Sequence, residues 1–373
     1  MSAFEDHAVL LTGASGYLGR VLAAELLAST SARLVLPLRS HHEPPAVAQA
    51  IADEHPDLTQ ADVLRRARFC TLPPSAQIAA LLPACGGVRG IVHAAGSVSY
   101  FDRVALQEGN EQLTGAMIAL GQQLQVEQFS FVSTAFSSGY RAGRIDEQLH
   151  ALAGEDPTDY TASKRRAEHL VAASGLPWLI ARPSIIIGDS RTGRYSGRPY
   201  GIYQLWRGFE RLLSDAWQPT AHAVASDRPL QLVHQDAVAK GLVAAMRDFV
   251  PGRVLHLVSD PAALPTARQA WGLWFREVVQ PERVCFHRSV EQAERGAMTT
   301  RQRLFMDFTA TNLEIAEHSW QFETTGLRQL QAAGCALPPV TVESLRTCQR
   351  AFVAQSPRLR AYLARLNPEA MAR

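Results

Sequence analysis

The hydrophobic residues in the first half of the chain fall into short unbroken blocks. "AVLL" from Ala8, "RLVLPL" from Arg33, "GIVHAA" from Gly90, "FSFVST" from Phe129 and "WLIARPS" from Trp178 are rich in Val, Ile and Leu and do not alternate with polar residues. Such blocks predict strands buried on both faces of a parallel sheet. Between them, "LGRVLAAELLAST" and "YTASKRRAEHLVAAS" space apolar residues at i, i+3 and i+4, which predicts helices with one buried face. Strand and helix in alternation predict an α/β fold with a Rossmann-type doubly wound parallel sheet.

The rhythm changes near residue 188. "GDSRTGRYSGRPYG" is a loop rich in Gly, Arg and Tyr. "IYQLWRGFERLLSDAW" predicts a helix, "PLQLVHQDAVAKGLVAAM" a strand leading into a helix, and "RVLHLVS" one more strand. From Pro261 onward the pattern is mainly helical. The expected division is a nucleotide-binding domain of residues 1–190 plus about 230–258, and a smaller, mostly helical C-terminal substrate part of residues 191–229 plus 259–373.

Composition narrows the classes of function. The chain has 373 residues, 47% hydrophobic and 19% charged, with a formal net charge of +2. That is an ordinary folded protein, and nucleic acid is not an expected partner. Cys70, Cys85, Cys285, Cys335 and Cys348 form no CxxC pair, which argues against a metal centre or a disulfide framework. His222, His234 and His256 share no ligand-type spacing, so no metal is expected. The start, "MSAFEDHAVLL", is acidic before a short apolar run, unlike a secretory signal. No window approaches ~20 apolar residues. The expectation is a cytoplasmic protein without a transmembrane segment.

The first strand candidate runs into "TGASGYLG", with Gly13, Gly16 and Gly19 ahead of a helix. In that context one glycine permits the sharp turn, one lets the backbone approach a pyrophosphate, and one lets helix and strand pack closely. The helix N-terminus then offers N–H groups and its dipole to the anion. The next strand ends at Arg39, about twenty residues past Gly19, where a NAD site usually carries an acid. A guanidinium suits the 2′-phosphate of NADP(H) instead.

"DYTASKRRAEHL" holds Tyr160 and Lys164 four residues apart, on one face of a predicted helix. A tyrosine has a reference pKa of about 10, and a nearby ammonium brings it toward neutrality. Upstream, Ser133 and Thr134 end a strand, the position that faces the ligand crevice of an open α/β sheet.

In this order, these residues resemble the extended branch of the short-chain dehydrogenase/reductase superfamily, over roughly residues 8–258. "TGASGYLG" is similar to its TGxxGxxG turn, "HAAG" at His93–Gly96 to its cofactor-side strand end, and Asn110 to its structural asparagine. Arg182-Pro183-Ser184 and Asp236 are similar to later landmarks. The resemblance implies catalysis by Thr134, Tyr160 and Lys164. It implies cofactor contacts from Gly13, Ser15, Gly16, Tyr17, Leu18, Gly19, Arg39, Ala94, Ala95, Gly96, Lys164, Pro183 and Ser184. An acid often found near the adenine is missing from "RFCTLPPS".

Within the branch, "VSTAF", "RPSIIIGDSRTG" and the helical C-terminal part look most like fatty acyl-CoA reductases and thioester reductases. That likeness implies reduction by NADPH of an acyl thioester, on CoA or on an acyl or peptidyl carrier protein, to an aldehyde or alcohol. No adenylation or carrier module is expected ahead of the reductase part, so a separate molecule would deliver the acyl group. A free aldehyde, ketone or sterol-like alcohol is the alternative substrate class. A nucleotide-sugar epimerase or dehydratase and a non-catalytic NADP sensor are further alternatives. A homodimer through helices is common in the superfamily.

The substrate end is less defined. Arg191, Arg194 and Arg198, beside Tyr195 and Tyr200, either meet phosphates of CoA or phosphopantetheine or belong to a solvated loop. Ser133 is a candidate substrate contact next to Thr134. Trp206 and Phe209, with Leu205, Leu212 and Leu213, either line an acyl channel or pack a core. "VESLRTCQRAFVAQSPRLRAYLARL" predicts a basic helix that is either solvated or set against an acidic carrier or a membrane surface.

Overall fold

The computed structural model describes residues 7–293 and 295–366, in two compact units. The acidic residues 1–6, on which the expectation about a secretory signal partly rests, lie outside the described residues. Thirteen strands occur among the described residues. They are β1 (Ala8–Thr12), β2 (Arg33–Leu38), β3 (Ala67–Thr71), β4 (Val88–His93), β5 (Gln128–Val132), β6 (Arg144–Ile145), β7 (Trp178–Pro183), β8 (Ile185–Ile187), β9 (Thr220–Val224), β10 (Leu232–His234), β11 (Arg253–Leu257), β12 (Arg283–His287) and β13 (Gln321–Phe322).

The first unit contains the chain through Ser184, with Gln235–Val258 and Gln321–Leu337. Seven strands form a parallel sheet in the order β11-β7-β5-β4-β1-β2-β3. Every residue of β1 and β5 is buried, which is why these strands read as continuous apolar blocks. Leu10, Ile91, Phe129 and Ile180 pack with Met117 and Leu120 of the helix Leu113–Leu124. The chain winds outward from β1 to β3 on one side and from β4 to β11 on the other. The direction reverses between β1 and β4, where ligands of such sheets bind beyond the carboxyl ends.

Two helices of this unit matter for the site. Tyr17–Ser29 follows β1 directly. Asp159–Ala172 starts on a capping box, in which Thr158 Oγ1 accepts from Thr161 N (3.2 Å) and Thr161 Oγ1 accepts from Thr158 N (3.3 Å). Asp159 in its first turn adds a charge that the helix dipole favours.

The second unit contains Ile185–His234, Ser259–Trp320 and the chain from Pro338. Its helices include Ile202–Leu212, Thr300–Glu317, Val342–Gln355 and Pro357–Leu366. Trp206, Phe209, Trp271, Trp274, Phe305 and Tyr362 are buried together at its centre.

Two segments depart from the expected division. The strand expected near residue 230 does not return to the main sheet, because β10 pairs with β8 in the second unit. The switch is visible in the backbone: Ser184 N donates to Leu257 O (3.2 Å), whereas Ile185 N donates to Gln231 O (3.0 Å). The second departure is Gln321–Leu337, which joins the sheet unit rather than the helical part. There Glu147 accepts from His256 N (2.8 Å) and Gly326 N (2.8 Å), and Glu323 accepts from Glu147 N (3.0 Å), while β13 pairs with β6.

The basic C-terminal segment is two helices broken at Ser356, not one. Leu345, Cys348, Leu359 and Tyr362 face the interior of its unit, and Arg346 pairs with Glu277 and Glu343. Among the described residues no helix is long and apolar enough to cross a membrane.

Candidate active site

The glycine turn is built by close contacts. Gly13 has φ +82°, a conformation L side chains rarely adopt, and a Cβ there would lie 2.8 Å from Ala95 N. A Cβ on Gly19 would lie 2.0 Å from Gly13 O, so the helix can seat against the turn only with glycine there. Gly16 is the N-cap of Tyr17–Ser29 and makes no side-chain cap. Leu18 is buried, while Ser15 and Tyr17 are half-buried.

A polar relay ties this turn to β4. Ala95 N donates to Thr12 Oγ1 (3.2 Å), and Thr12 Oγ1 lies 2.7 Å from His93 Nδ1. His93 Nε2 lies 3.1 Å from Thr114 Oγ1, which donates to Asn110 O (2.5 Å). Burial, then the charge of Lys164, pushes His93 down to about 3, so the ring is neutral. With Thr114 donating to a carbonyl, the consistent tautomer has Thr12 donating to Nδ1 and Nε2–H donating to Thr114.

Asn110 lies in a π-helical turn, Gln107–Gln112. Its Oδ1 accepts from Ser97 N (2.8 Å), and its Nδ2 donates to Ser97 O (3.0 Å) and to Ser163 Oγ (2.9 Å). Ser163 Oγ donates to Tyr160 O (2.7 Å). The β4 loop and the Tyr160 helix are thus held in register by one amide. Such π turns often occur at functional sites.

Just past β5, Thr134 caps the short 3₁₀ turn Ala135–Ser138, and its Oγ1 accepts from Phe136 N (3.4 Å). That bond uses a lone pair and leaves the hydroxyl proton for another acceptor. Ser133 behaves differently, because its Oγ donates to Glu168 Oε1 (2.5 Å). It is a buried structural contact, not the substrate contact expected from its place beside Thr134. Tyr160 is half-buried, one turn before Lys164. The Lys164 ammonium is buried and lies 4.1 Å from the centre of the Phe131 ring. Burial pulls its pKa down to about 7, opposed by the charge of Glu168.

Glu168 was not foreseen as a site residue. It has no exposure and receives Arg182 Nε (2.9 Å) and Nη2 (2.7 Å) on its two oxygens, besides Ser133 and Ser137. The signal available in the sequence was its position, four residues after Lys164, beside Ala167 on the helix's apolar face.

The cofactor residues fit a dinucleotide. The switch point carries the glycine turn on one side and Ala94, Ala95 and exposed Gly96 on the other. Arg39 is exposed just past the end of β2. Pro183 ends β7, and Ser184 Oγ is buried without a hydrogen-bond partner among the described residues, so it is placed to take one from a bound molecule.

The remaining candidates belong to the second unit, except His256 in the first. Arg191 and Arg198 are exposed, while Arg194 and Tyr200 are half-buried. Asp189 Oδ1 accepts from Arg191 N (3.2 Å) and Thr192 N (2.8 Å), so the loop is folded on itself. Trp206 stacks on Trp274 (5.5 Å between centroids, 11°) and meets Tyr203 edge-on. It packs the core and does not line a channel. The three histidines each have a structural bond: His222 to His287, His234 to Gly188 O and His256 to Glu323 O. Among the described residues no group of three or more His, Cys, Asp or Glu side chains is placed to hold a metal.

Residues 75–242 match the family described as male sterility protein, an NAD-binding family. The matched stretch includes Thr134, Tyr160 and Lys164. Three solved structures share its fold. The terminal R domain of the myxalamid PKS-NRPS pathway shares 22% identity over 95% of this chain and 92% of its own, with a TM-score of 0.76. A thiolation-reductase di-domain from an archaeal non-ribosomal peptide synthetase shares 18% identity over 94% of this chain and 76% of its own, at 0.73. UDP-glucuronic acid 4-epimerase from Bacillus cereus, in complex with NAD, shares 14% identity over 94% and 97%, at 0.64. No curated protein is a significant match.

Proposed function

We propose that the protein is an NADPH-dependent reductase of an acyl thioester carried on CoA or on an acyl or peptidyl carrier protein. The observation that carries this reading is Lys164, buried one turn after Tyr160 with the Thr134 hydroxyl at the neighbouring strand end. The higher likeness to reductase domains than to the epimerase, by TM-score, favours a thioester over a nucleotide sugar.

Bound NADPH supplies hydride to the carbonyl carbon. Thr134 and Tyr160 hold the carbonyl oxygen, where negative charge develops. Tyr160 gives that oxygen its phenolic proton, and the Lys164 ammonium stabilises the phenolate left behind. With a thioester the resulting hemithioacetal loses thiol and becomes an aldehyde; a second round gives the alcohol. Arg39 reads the 2′-phosphate, and Ser184 donates its free hydroxyl at the β7 end.

The test mixes protein and NADPH with acyl-CoA thioesters, acyl-carrier thioesters and free aldehydes or ketones, following NADPH absorbance and free thiol. Thiol release coupled to NADPH loss is expected. NADPH loss with free carbonyls alone sinks the thioester reading and leaves the alternative. Tyr160→Phe is expected to lower turnover by about 100-fold or more with NADPH binding unchanged.

A further inference from the structure

The carboxylate of Glu168 is fully buried on the helix that carries Tyr160 and Lys164. Four donors converge on it from three elements: the Ser133 hydroxyl at the end of β5, the Ser137 hydroxyl in the 3₁₀ turn, and two guanidinium nitrogens of Arg182 on β7. These four bonds satisfy both carboxylate oxygens inside the fold. One turn earlier on the same helix, Lys164 is also buried, so its charge depends on the protein groups around it.

The chain is also sparing with lysine. Of its 37 basic residues only Lys164 and Lys240 are lysines. The one in the site is therefore a group whose protonation can be set by its surroundings, which a guanidinium does not allow.

We propose that Glu168 is a positioning residue that keeps the Lys164 ammonium charged, with Arg182, Ser133 and Ser137 holding its carboxylate at the required place. The proposal rests on the reading of Tyr160 and Lys164 as the proton-delivering pair, and it adds the group that sets the charge of that pair. Other groups on the elements packed around the helix are spent elsewhere. Arg165 pairs with Asp156, Arg166 with Glu111 and Arg103 with Asp159. His93 is neutral, and Glu108 lies exposed on the π turn. The β5 strand and the helix Leu113–Leu124 contribute no charge.

Two lysines make the test direct. In protein labelled at lysine side chains, NMR gives two titrating signals, and Lys240→Arg assigns them; Lys240 is part-exposed and lies 3.8 Å from Asp236. Glu168→Gln is expected to lower the Lys164 titration midpoint by about one pH unit or more, and to move the alkaline limb of the rate profile down with it. Should that variant not fold, Glu168→Gln with Arg182→Met removes the buried pair without leaving a lone charge. The midpoint is expected to fall there by less than in the single variant, because the removed Arg182 charge opposed that of Glu168. A folded variant of either kind with an unchanged midpoint overturns the proposal, even if it is less stable. Tyr160→Phe with full turnover would refute the proton-delivery reading itself and overturn the proposal with it. An inactive Tyr160→Phe together with an unchanged Lys164 midpoint in the Glu168 variants overturns the proposal alone.

Discussion

Asn110 Nδ2 donates to Ser163 Oγ across 2.9 Å, and this bond joins the π turn after β4 to the helix of Tyr160 and Lys164. The same amide closes on both backbone groups of Ser97. Asn110→Ala would leave Ser97 N–H, Ser97 O and the Ser163 hydroxyl without this partner. The expected cost is about 2–3 kcal/mol, read from urea unfolding, with a larger fall in turnover because the helix loses its register. A variant as stable and as active as the parent would show that the amide is dispensable.

The two glycines of the turn predict different failures. Gly13→Ala forces a side chain into a φ of +82° and against Ala95 N, at a cost of about 1–3 kcal/mol for the backbone alone. Gly19→Ala drives a methyl to within 2.0 Å of Gly13 O, so the helix must move off the turn. Both are expected to lose dinucleotide affinity in a binding titration. Gly86→Ala is the control, since nothing lies within 4 Å of a Cβ there. Intact affinity in Gly19→Ala would contradict the turn as drawn.

The main strands were legible because a parallel sheet covered on both faces leaves uninterrupted apolar blocks, as in β1 and β5. Of the short pairs β8–β10 and β9–β12 only β10 was legible, as the strand in "PLQLVHQ"; β8, β9 and β12 sit beside loops or helices and carry too little pattern to oppose them. The departure of β10 from the main sheet follows from a change of hydrogen-bond partner between Ser184 and Ile185, which no periodicity encodes. In the site, Tyr160, Lys164, Thr134 and the glycines stood out by residue type and order. Glu168 did not, because a carboxylate is ordinarily read as solvated, and only tertiary packing puts Ser133, Ser137 and Arg182 around it. Ser133 misled for the same reason: a hydroxyl at a strand end can face the ligand or, as here, turn back to the helix.

Arg39 is exposed past the end of β2, and no acid follows it before Glu43. If it binds the 2′-phosphate, Arg39→Ser should weaken NADPH by about 10- to 100-fold, the worth of a charge-assisted bond. NADH should bind almost as before. Fluorescence titration of both nucleotides checks this, and equal losses would remove Arg39 from the phosphate.

The charge of Lys164 fixes the expected pH dependence. Its folded pKa is lowered to about 7, first by burial, against an ordinary lysine value of 10.5. The working form has the ammonium, so kcat/KM should fall as pH rises through about 7, while His93, held near 3, adds no step above pH 5. For stability the sign is opposite. Between about 7 and 10.5 the unfolded chain binds more protons at this position than the folded one, so this group makes unfolding harder as pH rises. Over that interval activity should decline while the contribution of Lys164 to stability grows. Lys164→Met should remove the lysine's part of both trends, leaving a weakly active protein with a flatter stability profile. A rate that keeps its alkaline limb near 7 in Lys164→Met would assign the limb to another group.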